Sequence, residues 1–113
     1  MHITGLKKEK KRMDKRIDLI IANLKDVYDP EIPVNIYDLG LVYNVDVDEN
    51  DVAHIVMTLT APGCPVADML LEEARHSAIL VEGVKDAEVE LVFDPPWEKS
   101  MMSEEARLEL GFF

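Results

Sequence analysis

The stretch LGLVYNVDVDENDVAHIVMTLTAPGCP, residues 39–65, decides how this chain folds. Apolar and polar residues alternate on both sides of the polar group DEND, as expected for two strands that each bury one face. A polar turn this short makes the two strands an antiparallel hairpin. The alternation places these side chains on the buried face: Leu39, Leu41, Tyr43, Val45 and Val47 in the first strand, and Ala53, Ile55, Met57 and Leu59 in the second.

Helical periodicity flanks the hairpin on both sides. Residues 14–27 are predicted to form an amphipathic helix on the apolar series Ile17, Ile20, Ile21, Leu24 and Tyr28. Pro65 opens a second predicted helix that runs to about Val81. Its expected core residues are Val66, Met69, Leu70, Ala74 and either Ile79 or Leu80.

A third strand is predicted from about Val84 to Phe93, with Ala87, Val89, Leu91 and Phe93 facing inward, and Ser103 begins a short capped helix. A right-handed crossover makes the second and third strands parallel. The predicted fold is therefore α+β and two-layered, in the order α-β-β-α-β plus a short carboxyl-terminal helix. Its small mixed three-stranded sheet carries two helices on one face. We assign residues 14–113 to this single domain and residues 1–13 to a basic amino-terminal arm.

Composition and charge restrict the class of protein. Of 113 residues, 48% are hydrophobic, which is too many for a disordered chain. No apolar run approaches the ~18–20 residues of a membrane-spanning helix, and the amino terminus lacks the apolar segment of a secretory signal. Residues 1–16 carry a net charge of +5, which leaves −16 on residues 17–113. The absence of a membrane-spanning or secretory segment favours a cytoplasmic protein that does not bind a membrane. We also expect no nucleic-acid partner, because such an acidic body repels phosphates.

The topology predicts a site at one edge of the sheet. If Val47 pairs with Val52, Leu39 lies opposite Thr60, so the first strand begins beside the end of the second. The parallel third strand ends at the same edge. Residues 29–38, 58–65 and 94–97 should therefore meet where open α/β sheets usually bind ligands.

Cys64, the single cysteine, lies at the centre of this predicted site. A thiol at the start of a helix has a lowered pKa and becomes a better nucleophile and soft-metal ligand. The alternative is a small buried hydrophobic residue. His76 should lie ~16 Å along the helix and His54 ~20 Å back along the strand, too far for a Cys–His dyad. We therefore do not expect an enzyme.

The side chains predicted to lie near Cys64 each have a structural and a functional interpretation. Asp29, Glu31 and Asp38 either organise turns or serve the site, and their negative charge would raise the thiol pKa. Thr58 and Thr60 share a strand face, and Thr60 could donate to a ligand beside Cys64, although strand propensity explains both threonines equally well. Asp94 and Trp97 should fix the carboxyl-terminal segment over the site, and Trp97 could also anchor a partner.

Three ordered motifs carry a family resemblance: DPEIPVNIYDLGLVY (residues 29–43), MTLTAPGCP (57–65), and DPPW (94–97) followed by MSEEARLELGF (102–112). They resemble the metal–sulfur cluster biosynthesis family, which includes the SufT and PaaD proteins and the cytosolic iron–sulfur targeting factors of eukaryotes. The resemblance implies a role in maturing iron–sulfur proteins. It places Cys64 at the family's reactive cysteine, and Asp29 and Glu31 in its acidic motif. The chain lacks the extra cysteines of PaaD-type members, so it is SufT-like.

Chemistry limits this implied role, because an iron–sulfur cluster takes about four thiolate ligands and the chain has one. A monomer is not expected to hold a cluster stably. Cys64 would contact iron, a cluster or a client transiently, with ligands shared across a homodimer or supplied by a client apoprotein. The expected partners are the iron–sulfur assembly machinery and its clients. The alternatives are an adaptor that docks clients through residues 29–38 and Trp97 without a cluster, or a protein that handles persulfide on its thiol.

Overall fold

The computed structural model describes residues 14–29, 32–60 and 67–111. The basic arm (residues 1–13), Glu31 and Cys64 lie outside the described residues, so the domain boundary at residue 14 stays a prediction. The elements are α1 (Lys15–Leu24), β1 (Val42–Val47), β2 (Val52–Met57), α2 (Ala67–Ile79), β3 (Asp86–Leu91), a 3₁₀ turn (Lys99–Met101) and α3 (Glu104–Leu110).

The sheet has the predicted topology. Its strand order is β1-β2-β3, with β1 antiparallel and β3 parallel to the central β2. Helix α1 packs against β1 and α2, and α2 packs against β2 and β3. The core between the layers includes Ile20, Leu24, Ile55 and Met57, each at most 1% exposed. The predicted α+β two-layer class is confirmed.

The predicted hairpin register is wrong near the turn and right at the far end. Val47 pairs with Ala53 rather than Val52, and an irregularity between Val42 and Asn44 then shifts the pairing by one residue. Beyond it the amide of Thr58 donates to the carbonyl of Leu41 at 2.8 Å, as the predicted register requires. Such a bulge places one extra residue in β1 and changes which side chains face the core.

The first strand also starts later than predicted. Residues 36–40 form a turn that ends at Gly40, whose φ is +84°. Val42 and Val45 pack against the core, whereas the alternation had assigned Tyr43 there. The correction follows from the bulge, since one extra residue reverses the inward and outward positions.

Helix α1 ends at Leu24, three residues earlier than predicted. Its first turn is capped by Asp14, whose carboxylate accepts from the amide of Arg16 at 3.0 Å. Beyond Leu24 the helical period no longer applies, so Tyr28 is 55% exposed and Val27 is buried in its place.

Helix α2 buries Leu70 and Ala74 as predicted, and Ile79 packs against the core, whereas Met69 does not and Val66 lies outside the described residues. Leu70, Ala74 and Ala78 face the core at helical spacing, Val81 is buried just beyond the end of the helix, and Met69 and Leu80 are exposed. Met69 was expected inside, but it lies about 100° around the helix from Leu70. Phe93 was also expected inside and is 47% exposed, because β3 ends at Leu91.

Arg16 ties three segments together at the end of the molecule opposite the predicted site. Its guanidinium donates to the Asp14 carboxylate at 2.9 Å, to Asp51 Oδ1 at 2.8 Å and to the carbonyl of Gly83 at 2.8 Å. The side-chain hydrogen bond from Arg16 lowers the pKa of Asp14. The start of α1 is thereby held against the β1–β2 turn and the connection that leads to β3.

Candidate functional site

The structure joins the borders of the three predicted segments: residues 38–41, at the end of the first segment and just beyond it, bond to the end of β2 and to the carboxyl-terminal segment. The turn before β1 joins the end of β2 through the bond from the Thr58 amide to Leu41. The carboxyl-terminal segment joins the same turn, because Trp97 Nε1 donates to the carbonyl of Leu39 at 2.6 Å. Residues 61–66 follow this edge in the chain, and Cys64 is among them.

The carboxyl-terminal segment is fixed against the turn at several points. The Tyr43 hydroxyl donates to the carbonyl of Pro95 at 2.8 Å and lies 3.7 Å from the sulfur of Met101. The amide of Ser103 donates to the carbonyl of Asp38 at 2.8 Å. Ser103 also caps α3 by accepting from the amide of Ala106 at 3.1 Å. These bonds make the segment a wall of the candidate site.

Trp97 is therefore a structural element of this edge. Its ring is half-buried and packs against the core, and its N–H is used within the chain. This agrees with the expectation that Trp97 fixes the carboxyl-terminal segment. Its second expected role, as a partner contact, stays a prediction.

Thr58 is more buried than its predicted outward position implied. It is 1% exposed, and its hydroxyl oxygen has no hydrogen-bond partner in the described part of the chain. An unpaired buried hydroxyl is costly, so such a group in a native protein usually has a functional or structural reason. Thr60 is partly buried and is the last described residue before the segment of Cys64.

Tyr43 is the side chain next to Thr58 that the sequence did not assign to the site. Burial raises its pKa, and the negative charges of Asp94 and Glu98 add to that rise. The Thr58 hydroxyl is near enough to oppose the rise but does not form a hydrogen bond of normal geometry with Tyr43. The bulge places Tyr43 here, and bulges have no reliable signature in a single sequence.

The two described acidic candidates have local partners. Asp29 is 8% exposed, and its Oδ1 accepts from the amide of Ile32 at 3.1 Å. Asp38 accepts from Asn35 Nδ2 at 2.8 Å and donates its own amide to Asn35 Oδ1 at 2.8 Å. The turn-organising role of both aspartates is thus observed, and a role at the site stays a prediction.

His54 belongs to another part of the molecule. Its Nε2 lies 2.7 Å from Asp48 Oδ2, and its Nδ1 lies 3.4 Å from Glu88 Oε1. The hydrogen bond with Asp48 raises the pKa of His54, and the charges of Glu88 and Asp46 act in the same direction. In residues 14–29, 32–60 and 67–111, no three His, Cys, Asp or Glu side chains form a group able to hold a metal ion.

Gly40 and Met101 form a close contact that the sequence analysis also missed. A Cβ atom at Gly40 would collide with the backbone of Met101. The sequence does hold a signal, since a glycine between two apolar residues at a strand start indicates a close backbone approach. Within the described ranges, no helix is long and apolar enough to cross a membrane.

Comparisons with known proteins identify the family. The profile of the family described as iron–sulfur cluster assembly protein matches residues 17–91. An Fe-S protein maturation auxiliary factor of Porphyromonas gingivalis is 57% identical over 93 residues, which cover 82% of this chain and 89% of that protein. The auxiliary factor SufT of Staphylococcus aureus is 41% identical over 85 residues, which cover 75% of this chain and 97% of that protein.

A solved structure has the same fold. The crystal structure of a domain of unknown function from Bacillus anthracis superimposes with a TM-score of 0.83 at 38% identity. The match covers 94% of this chain and 99% of that one. The profile match, the two relatives and the shared fold agree with the motifs noted above. The chain belongs to the iron–sulfur cluster assembly protein family.

Proposed function

We propose that this protein assists the maturation of iron–sulfur proteins as an assembly or transfer factor that acts through Cys64. The names of its bacterial relatives support the role. The observation that carries the proposal is the meeting of three segments at the carboxyl end of β2, because this strand leads directly into the residues that include Cys64.

The cluster is cargo in this proposal. A cluster needs about four thiolates, and each chain supplies one, so Cys64 holds iron or a cluster only together with other ligands. Those ligands come from a second copy, from small thiols or from the client apoprotein. Short residence suits a transfer factor, which must release what it binds.

The thiol acts without a catalytic dyad in this scheme. His54 lies near the start of β2 and is bonded to Asp48, whereas Thr58 follows the other end of the strand. This placement supports a non-enzymatic role. We assign the protein to the cytoplasm, where thiols stay reduced.

Anaerobic reconstitution with ferrous iron and sulfide tests cluster binding. The full chain should gain bound iron and visible absorbance, and Cys64→Ser, which keeps the size of the side chain, should lose both. Ser77→Ala, a change on α2 away from the predicted site, should reconstitute like the wild type. The proposal that Cys64 handles a cluster fails if wild type and Cys64→Ser give identical spectra and bind no iron.

The adaptor alternative has its own supporting observation. Trp97 bonds to Leu39 and Ser103 bonds to Asp38, so the carboxyl-terminal segment and the turn before β1 form one surface that could dock a client without a cluster. In a pull-down with a cluster-free apoprotein that normally holds a 4Fe–4S cluster, an adaptor would keep its client in Cys64→Ser and lose it in Trp97→Ala. The persulfide alternative requires alkylation of Cys64 with an apparent pKa well below ~8.5. A slow thiol with an unshifted pKa would exclude it.

A further inference from the structure

A groove of about 470 Å³ lies between α1 and α2, which pack against each other. The two helices are joined there by a hydrogen bond from Asn23 Nδ2 to the carbonyl of Ser77 at 3.0 Å. Val27, which is 6% exposed, forms part of the groove wall after the end of α1. The proposed function uses none of these residues.

Two apolar side chains stand exposed at the ends of this groove. Met69 on α2 is 58% exposed, Leu80 just after the end of α2 is 65% exposed, and both line the groove. Leu80 follows Met69 by 11 positions, which corresponds to about three helical turns, or ~16 Å along the direction of α2. These two side chains give a bound partner one apolar contact toward each end of the groove.

The groove is also acidic. Asp26, Glu72 and Glu73 line it, and His76 lies among them on α2. Glu72 Oε1 lies 3.6 Å from Arg75 Nη1 in an exposed ion pair that contributes little stability. Among the described residues, neither Asp26 nor Glu73 has an ion-pair partner. This acidity, within a body of net charge −16, disfavours nucleic acid and anionic lipid as occupants and favours a cationic one.

We propose that the groove binds a cationic amphipathic helix of about three turns from a partner protein. A helix fits because it can pack its ridges against two helices at once, with apolar anchors spaced to meet Met69 and Leu80. Lysine or arginine side chains at its borders would pair with Asp26, Glu72 and Glu73. The inference goes beyond the proposed function and is connected to it only through the sequence, in which Met69 follows Cys64 by five residues.

Fluorescence anisotropy with the full chain and a labelled 18-residue helix of leucine and lysine tests the groove. The leucines are spaced to form one stripe, and the control peptide has glutamate at every lysine position. We expect binding of the lysine peptide and at least tenfold weaker binding of the glutamate peptide. Absence of binding by the lysine peptide would overturn the proposal.

Matched variants separate the groove from general charge attraction. Met69→Ser with Leu80→Ser should weaken binding at least tenfold, whereas Leu19→Ser with Leu108→Ser, both 53% exposed in the wild type, should change it less than twofold. Glu72→Gln with Glu73→Gln should weaken binding more than Glu49→Gln with Glu109→Gln, which removes the same charge elsewhere. Equal losses in the paired variants would show non-specific attraction and overturn the proposal.

Other occupants would also contradict it. If Lys7→Glu with Lys8→Glu strengthens peptide binding tenfold, the chain's own basic segment occupies the groove. If the wild type is a dimer that Met69→Ser with Leu80→Ser dissociates in sedimentation, a second copy is the occupant. Cys64→Ser should still bind the peptide, and the groove variants should still reconstitute with iron and sulfide. The two proposals can therefore fail independently of each other.

Discussion

The indole N–H of Trp97 donates to the main-chain carbonyl of Leu39 across 2.6 Å, joining residues 58 positions apart. Leu39 is fully buried, so few other donors can reach its carbonyl. The bond holds the segment after β3 against the turn before β1. The wall of the candidate site thus depends on a residue that lies 33 positions after Cys64 in the chain.

Replacing Trp97 with phenylalanine should destabilise the protein by about 1–3 kcal/mol, because it removes a donor and leaves a buried carbonyl without its partner. Chemical denaturation followed by circular dichroism measures this loss, since the chain has no other tryptophan to report by fluorescence. Leu108→Ala, an exposed change on α3, is the control and should lie within ~0.5 kcal/mol of the wild type. A Trp97→Phe variant as stable as the wild type would contradict the assigned bond.

Gly40 should tolerate alanine less well than Gly111 does. Both glycines have positive φ, +84° and +79°, so both substitutions incur the left-handed strain of roughly 1–2 kcal/mol. At Gly40 a Cβ would in addition collide with the Met101 backbone, whereas at Gly111 it meets no atom within 4 Å. Gly40→Ala should therefore lose more free energy of unfolding than Gly111→Ala. Equal losses would mean that residues 40 and 101 are not in close contact.

The architecture could be predicted because it depends on patterns that a single sequence displays. Alternation in β1 and β2 and the handedness of the crossover fixed strand order and direction. The placement of Met69 could not be predicted in the same way, since neighbouring apolar residues Met69, Leu70 and Leu71 leave the buried side of a helix open. Packing against β2 and β3 makes that choice.

The meeting of the three segments was likewise predictable, since it follows from strand direction. The side chains at the meeting point were not. The bulge that brings Tyr43 to Pro95 and Met101 is a local shift in pairing, and it results from the tertiary fit between the strands. Cys64 and Glu31 were singled out from their places in the predicted topology and from the family resemblance, and their roles stay predictions.

His54 should make stability depend on pH. Its hydrogen bond with Asp48 raises its pKa above the usual ~6.5, so the stabilisation is fully present below that value and is lost as pH rises through the higher folded pKa. The same bond lowers the pKa of Asp48, so that contribution disappears as pH falls through the lowered value. The wild type should therefore lose its stability advantage over His54→Gln as pH rises above ~6.5 and through the raised pKa of His54.

Denaturation of both proteins across this range measures the effect, and NMR titration of the His54 ring gives its pKa. His76→Gln, a change at an exposed histidine on α2, controls for the loss of an imidazole elsewhere. Asp48→Asn should return the His54 pKa toward ~6.5. A His54 pKa at or below that value in the wild type would refute the assigned pairing.

Thr58→Val should stabilise the protein by about 1 kcal/mol. Valine has nearly the same shape as threonine, and the substitution removes a buried hydroxyl that has no hydrogen-bond partner among the described residues. Thr60→Val, at a partly buried position two residues further along the chain, should change stability by less than ~0.5 kcal/mol. Thermal and urea unfolding of the three proteins would measure both differences. If Thr58→Val is less stable than the wild type, the Thr58 hydroxyl has a hydrogen-bond partner in the folded protein. Thr58 would then be a structural residue of this edge, and its hydroxyl would not be free to bind a ligand at the predicted site of Cys64.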